Sequence, residues 1–238
     1  MIANILLLIS LTLSPAEAYN QGNGFYNQKD YPKAIEAYQE ALKSAPSAVA
    51  YYNLGNSYFK SGQIGRAIIS YRRAQFLDPR DNDISNNLLF TRNYRADKTL
   101  TLPGPFEIFV DQLFYFFSLK ESLLWSAFCF ALGSLLLSLF FTWRRNFLLY
   151  GSLPFFLAFL FFAMNTQIWR NVRSSHPVVV VAPEISAQSG PGEEYKEIIL
   201  VHDGTEGLIK ERRGDYVLIQ LPGGVGGWMK NDAVEEVF

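Results

Sequence analysis

The sequence predicts a multidomain membrane protein: α-helical repeats, then a two-helix transmembrane hairpin, then a small all-β barrel. Three observations carry that prediction. The chain repeats itself at a spacing of 33 near its start, holds two uncharged apolar stretches of 22 and 23 residues in its middle, and ends in short β-branched runs divided by glycine-rich turns. A length of 238 residues accommodates that division. With a net charge of -1, the chain lacks the basic surplus expected of a nucleic-acid binder. One cysteine rules out an internal disulfide, and two histidines leave little for a histidine-rich metal site.

The first element is a targeting segment. Residues 2–13 (IANILLLISLTL) are apolar and uncharged, Ser14-Pro15 breaks the run, and Ala16 and Ala18 place small residues at -3 and -1 of a step before Tyr19. This pattern predicts a signal peptide over residues 1–18, with the chain from Tyr19 onward outside the cytoplasm. No Lys or Arg precedes the run, so an uncleaved anchor is the alternative. Its apolar core is short for roughly 30 Å of hydrocarbon.

Self-similarity begins at once after Ala18. Gly22, Phe25, Tyr31, Ala34, Tyr38, Ala41 and Pro46 match Gly55, Tyr58, Ile64, Ala67, Tyr71, Ala74 and Pro79. Each unit reads as two helices, with a small residue at Gly22 or Gly55 admitting close approach and Ala34 or Ala67 expected to face that gap. Asp30 and Gly62 fall at the turns within the units. Residues 81–94 read as a further helix, with Ile84, Leu88 and Leu89 on the face that covers the second unit. The repeat domain is expected over residues 19–98.

These spacings, with Leu54-Gly55 and Ala41-Leu42, resemble the tetratricopeptide repeat. Gln21 stands where that family usually has Leu, and the period is one residue short. The resemblance implies a concave groove lined by Tyr19, Asn23, Tyr26 and Asn27, then Tyr52, Asn56, Phe59 and Lys60. Such a surface is aromatic and amide-rich with one charge, unlike grooves that clamp a terminal carboxylate with several cations. The alternative for each aromatic is simple packing against a neighbouring helix.

Residues 99–121 hold a Pro-Gly-Pro stop and then Phe106, Phe109, Leu113, Phe116 and Phe117 at helical spacing. They read as an amphipathic juxtamembrane helix, lying at the bilayer surface or against the repeats. Residues 122–143 and 147–169 are each long enough to cross as helices, with Trp125, Trp143, Tyr150 and Trp169 near the ends. The spans contain Cys129 and Asn165 but no charge, which leaves little for an ion path. Arg144 and Arg145 in the 144–146 loop favour the cytoplasm, while Arg170 and Arg173 beyond the second span compete. The signal peptide breaks the tie: both soluble parts are expected on the periplasmic face of a bacterial inner membrane.

After a linker at 170–176, residues 177–238 read as five strands: PVVVVA, EIILVH, the run from Glu206, YVLIQL and GGWM. Val178-Val179, Ser189-Gly190-Pro191-Gly192, Glu211–Val217 and Gly227-Trp228-Met229 resemble the bacterial SH3-like (SH3b) domain. Members of that family often bind peptide or cell-wall material, which marks Tyr195, Tyr216 and Trp228 as a candidate face. The alternative is that Trp228 closes the barrel.

No catalytic set is legible. His176 and His202 have no evident nucleophile or orienting carboxylate nearby, and the Gly223–Gly227 cluster lacks the Lys-Ser/Thr of a phosphate loop. Neither a cofactor nor a metal is expected. The order of modules resembles the BatE family of the bacterial aerotolerance operon, most specifically at Asp78–Asp81, Pro103–Phe109 and Glu211–Val217. That resemblance implies a non-enzymatic scaffold or adaptor linked to aerotolerance or envelope stress. Its implied partners are membrane-anchored von Willebrand factor A proteins and other products of the operon. The alternative function is peptidoglycan binding through the SH3-like domain.

Overall fold

The computed structural model describes residues 14–97 and 113–238. The apolar run at 2–13 and the Phe106–Phe109 stripe lie outside the described residues.

Five helices come first: α1 (Pro15–Asn27), α2 (Tyr31–Ser44), α3 (Ala48–Lys60), α4 (Ile64–Leu77) and α5 (Asn82–Tyr94). Their starts are chemically marked. Ser14 and Glu17 form a reciprocal capping box on α1, and Asp30, Ser47 and Asp81 each accept an amide hydrogen bond from the first turn of α2, α3 and α5. α1 therefore starts before Tyr19 and runs through the Ala18–Tyr19 step. Between the paired helices, Gly62 takes φ +81° and its counterpart Lys29 takes φ +62°, so the first repeat makes the same left-handed turn without glycine.

Ala34 and Ala67 are fully buried, and the atoms nearest Gly22 and Gly55 belong to tyrosine rings. A Cβ on either would lie 2.6 or 2.7 Å from the ring of Tyr38 or Tyr71. A tyrosine thus fills the space that each glycine opens, and both rings are buried. On α5, Ile84 and Leu88 pack inward as expected, but Leu89 is 59% exposed. One step of 100° past Leu88 carries it off the buried stripe, and Thr91 takes the third inward position.

Two long helices follow, α6 (Leu119–Trp143) and α7 (Asn146–Ser174). Each holds an 18-residue stretch of mean hydropathy 2.1 and is long and apolar enough to cross a membrane. Their outward faces carry exposed Leu and Phe side chains, as a lipid-facing surface requires. Arg144, at φ +54°, ends α6 and reverses the chain. Gly133 lets the helices close on Phe155 and Phe156. The buried Asn165 accepts a hydrogen bond from Ser122 Oγ at 3.1 Å and donates one to the Phe114 carbonyl at 2.6 Å. Trp169 Nε1 donates to the Phe117 carbonyl at 2.8 Å. Polar groups on α7 therefore hold the segment that leads into α6.

The chain ends in one antiparallel sheet of β1 (Pro177–Val180), β2 (Glu184–Gln188), β3 (Glu197–His202), β4 (Glu206–Arg213), β5 (Tyr216–Gln220), β6 (Gly226–Lys230) and β7 (Val234–Glu236), ordered β3-β2-β6-β5-β4-β1-β7. Seven strands replace the expected five. Glu184–Gln188 has a single β-branched residue and Val234–Glu236 is mostly acidic, so neither carries a strand signal of its own. Side chains from all seven strands and adjoining turns meet in one core around Val178, Val180, Val201, Val217, Ile219 and Met229.

The sheet is docked on the repeats. Along β1, Val178 and Val180 enter the sheet's own core, whereas Val179 enters the core of the repeats together with Val237. That two-sided burial explains why PVVVV is apolar without alternation. The expected interior of each module is thus joined by a shared seam.

Candidate protein-binding groove

The helices α1, α3 and α5 line one face of the repeats, while α4 packs against β1 and β7 of the sheet. Two copies of one polar network order it. In the first, Tyr38 Oη donates to Asn23 Oδ1 at 2.7 Å, and Asn53 Nδ2 donates to Tyr19 Oη at 2.9 Å and to Asn23 Oδ1 at 3.3 Å. In the second, Tyr71 Oη donates to Asn56 Oδ1 at 2.7 Å, and Asn87 Nδ2 donates to Tyr52 Oη and Asn56 Oδ1, both at 3.0 Å. Burial pushes the Tyr38 phenol up to about 12 and raises Tyr71 further, so both remain protonated donors. With Asn23 and Asn56 each accepting two hydrogen bonds at Oδ1, the amides are held in one orientation.

A cavity of about 320 Å³ opens at the second network. Tyr26, Tyr52, Asn56, Phe59 and Lys60 line it, as do Tyr71, Asn87, Phe90 and Thr91. Tyr19 and Asn23 belong to the first network instead, and Asn27 is exposed at the end of α1. The residues missed by sequence reading are Asn53 on α3, Tyr71 on α4 and those of α5. Phe90 and Tyr94 set their rings edge-on to Phe59 at centroid distances of 5.6 and 5.4 Å, and both are largely exposed. Asn87 was detectable: it stands 34 residues after Asn53, the polar partner in the previous network.

The face expected on the sheet is less open. Strand alternation puts Val217 and Met229 on the face of the sheet's apolar cluster and Tyr216 and Trp228 on the other face, where Trp228 is not among the clustered side chains. Instead it lies beneath the Arg213 guanidinium, 5.4 Å from its ring centroid, and is 7% exposed. Tyr195 stays half-exposed over Gly190, where a Cβ would meet its ring at 2.3 Å. Among the described residues, no ring contact joins Tyr195, Tyr216 and Trp228.

The seam between repeats and sheet is ionic as well as apolar. Asp203 accepts the Ile64 and Gly65 amides, each at 2.8 Å, and so caps α4, whose own N-cap Gln63 makes no side-chain cap. Glu206 meets Arg92 through two hydrogen bonds of 2.7 Å, with Arg95 at 3.1 Å and Arg72 at 3.3 Å. Burial pushes the Glu206 carboxyl up, but Arg92, Arg72 and Arg95 together outweigh it and hold the group below its usual 4.5. Arg73 donates to the Val237 and Glu236 carbonyls.

His202 does have an orienting carboxylate, contrary to the sequence expectation. Asp97 lies 3.0 Å from its Nδ1 and also accepts hydrogen bonds from the His202 amide and Thr205 Oγ1. On the opposite side, His202 Nε2 faces the Glu184 carboxylate at 3.9 Å, not a hydroxyl or thiol nucleophile. The arrangement latches the end of the repeats to β3.

Comparison with known proteins places the likeness in the helices that build the groove. The tetratricopeptide repeat family matches residues 19–82. Over 64 residues the chain is 36% identical to the Hsp70-Hsp90 organizing protein 3 of Arabidopsis thaliana, a stretch that is 26% of this chain and 12% of that relative. Helices α1 to α4 thus carry a repeat pair of a family that serves in protein–protein interaction.

Proposed function

We propose that this protein is a membrane-anchored, non-enzymatic adaptor whose repeat groove holds an extended segment of a partner protein. The observation that carries the reading is the fixed amide at Asn56. Its Oδ1 is occupied by Tyr71 and Asn87, so its Nδ2 is the group left to address a ligand carbonyl between the Tyr52 and Phe59 rings. Asn23 repeats the arrangement one unit earlier. Rigid aromatic walls and a pre-oriented donor suit an unpaired peptide backbone, since little side-chain entropy is lost on binding.

In this reading α6 and α7 cross the inner membrane, and both soluble parts stand on the periplasmic face. The resemblance to the BatE family supports partners among membrane-anchored von Willebrand factor A proteins, in a complex serving aerotolerance or envelope stress. Peptidoglycan binding through Tyr195, Tyr216 and Trp228 is weaker support for function, because Trp228 is covered. The test is a pull-down from detergent-solubilised membranes with wild type, Asn56→Ala and Phe90→Ala. Recovery of the partner is expected to fall about tenfold in each, the scale of one binding hot spot. Equal recovery with all three baits excludes the groove.

A further inference from the structure

A second cavity, of about 720 Å³, lies at the junction of the repeats, the end of α7 and the segment entering α6. Arg72, Arg80 and Arg92 reach it from the repeats, while Tyr115, Phe116 and Trp169 wall it at the ends of the apolar helices. We propose that it holds the phosphate-bearing headgroup of an anionic glycerophospholipid, a site that rests on the two-pass membrane reading above.

Charge is the first support. Among its described lining residues there is no Asp or Glu. Two carboxylates pair with the lining arginines: Glu206 with Arg72 and Arg92, and Glu121 with Arg80. Three guanidiniums line the cavity against those two carboxylates, neither of which lines it, and guanidinium forks suit phosphate oxygens.

Geometry supplies the second support and selects lipid over a free anion. Trp169 is held by its hydrogen bond to the Phe117 carbonyl and meets Phe76 and Tyr115 edge-on, at 5.1 and 5.0 Å. The Arg80 guanidinium sits 5.4 Å from the Phe116 ring centroid. A wall of rings is therefore topped by cations at the level where α6 begins and α7 ends. Phe116 is half-exposed, and the hairpin surface below it is apolar. A headgroup entering here keeps its phosphate among the arginines and its glycerol and acyl chains along the hairpin, as interfacial aromatics and basic clusters favour.

The test uses the full chain in detergent, offered equal amounts of phosphatidylglycerol and phosphatidylethanolamine with identical acyl chains, with bound lipid read by native mass spectrometry. Wild type is expected to retain phosphatidylglycerol in preference to phosphatidylethanolamine. Arg80→Gln is expected to reduce that preference about fivefold, the effect of one basic side chain at an anionic headgroup. Asn82→Asp, which places a carboxylate at the cavity edge and on the first turn of α5 where it does not harm the helix, is expected to reduce it similarly. Equal retention of the two lipids by wild type, or an unchanged preference in both variants, overturns the proposal. So does displacement of the lipid by millimolar inorganic phosphate, which identifies a free-anion site. Alkaline carbonate extraction of membranes runs alongside. Release of the chain removes the two-pass reading itself, whereas retention without lipid preference removes only this site.

Discussion

Gly65 and Asp203 are 138 positions apart, yet the start of α4 depends on both. In the first repeat Asp30 caps its own helix; 33 positions on, Gln63 does not, and a carboxylate from the sheet takes over. Asp203→Ala is expected to destabilise the protein by about 1–2 kcal/mol, the scale of a lost N-cap, read by denaturant unfolding. Gly65→Ala has the opposite sign from helix propensity. Alanine is favoured over glycine in a helix interior by about 1 kcal/mol, but its Cβ would lie 2.3 Å from the Val180 carbonyl oxygen. The expected outcome is a lower melting temperature; a higher one would show that α4 and β1 are not docked. Sequence displayed the missing cap at Gln63 but not its replacement, because capping from a distant loop leaves no local pattern.

Among the elements, those with strong periodicity or long apolar runs were legible, and those defined by their neighbours were not. The repeat helices and the two long apolar helices announced themselves. β2 and β7 did not, since a short strand between well-paired neighbours needs no propensity of its own. The groove showed the same division. Its α1 and α3 residues followed from a repeat resemblance, whereas Phe90 and Tyr94 on α5 lie beyond the repeated pattern and were not singled out. Asn165 was visible as a polar residue in an apolar span, but its purpose required the Phe114 carbonyl and Ser122 to be placed beside it. Asn165→Leu raises the hydropathy of α7 and is nonetheless expected to loosen the hairpin by about 1 kcal/mol, typical of a hydrogen bond between membrane helices. The check is the amount of sodium dodecyl sulfate needed to unfold it, which should fall.

At the scale of the whole molecule, repeats and sheet form one unit joined by carboxylates. Glu206 and Asp97 both titrate below their usual values, Glu206 through its arginines against burial and Asp97 through His202 and Thr205 against burial. A depressed carboxylate stabilises the fold above its unfolded value and loses that contribution as pH falls through the folded one. Asp203 acts in the opposite sense, since burial raises it, and offsets part of the loss. The seam should therefore weaken below the ordinary 4.5 of a glutamate, with protease cleavage between the repeats and the sheet increasing as pH drops. Glu206→Gln should flatten that dependence. None of this coupling was legible beforehand, because the modules are separated in sequence by the hairpin.

In the proposed two-pass arrangement, docking of the repeats on the sheet puts both modules on one side of the bilayer. The most direct measurement replaces Asn27 and Lys210, exposed on the repeats and on the sheet, with cysteine in separate chains and adds a membrane-impermeant maleimide to intact spheroplasts. The native Cys129 is buried in the hairpin. Labelling of both positions before lysis is the expected result; protection of either one until the membrane is opened contradicts a two-pass adaptor facing the periplasm.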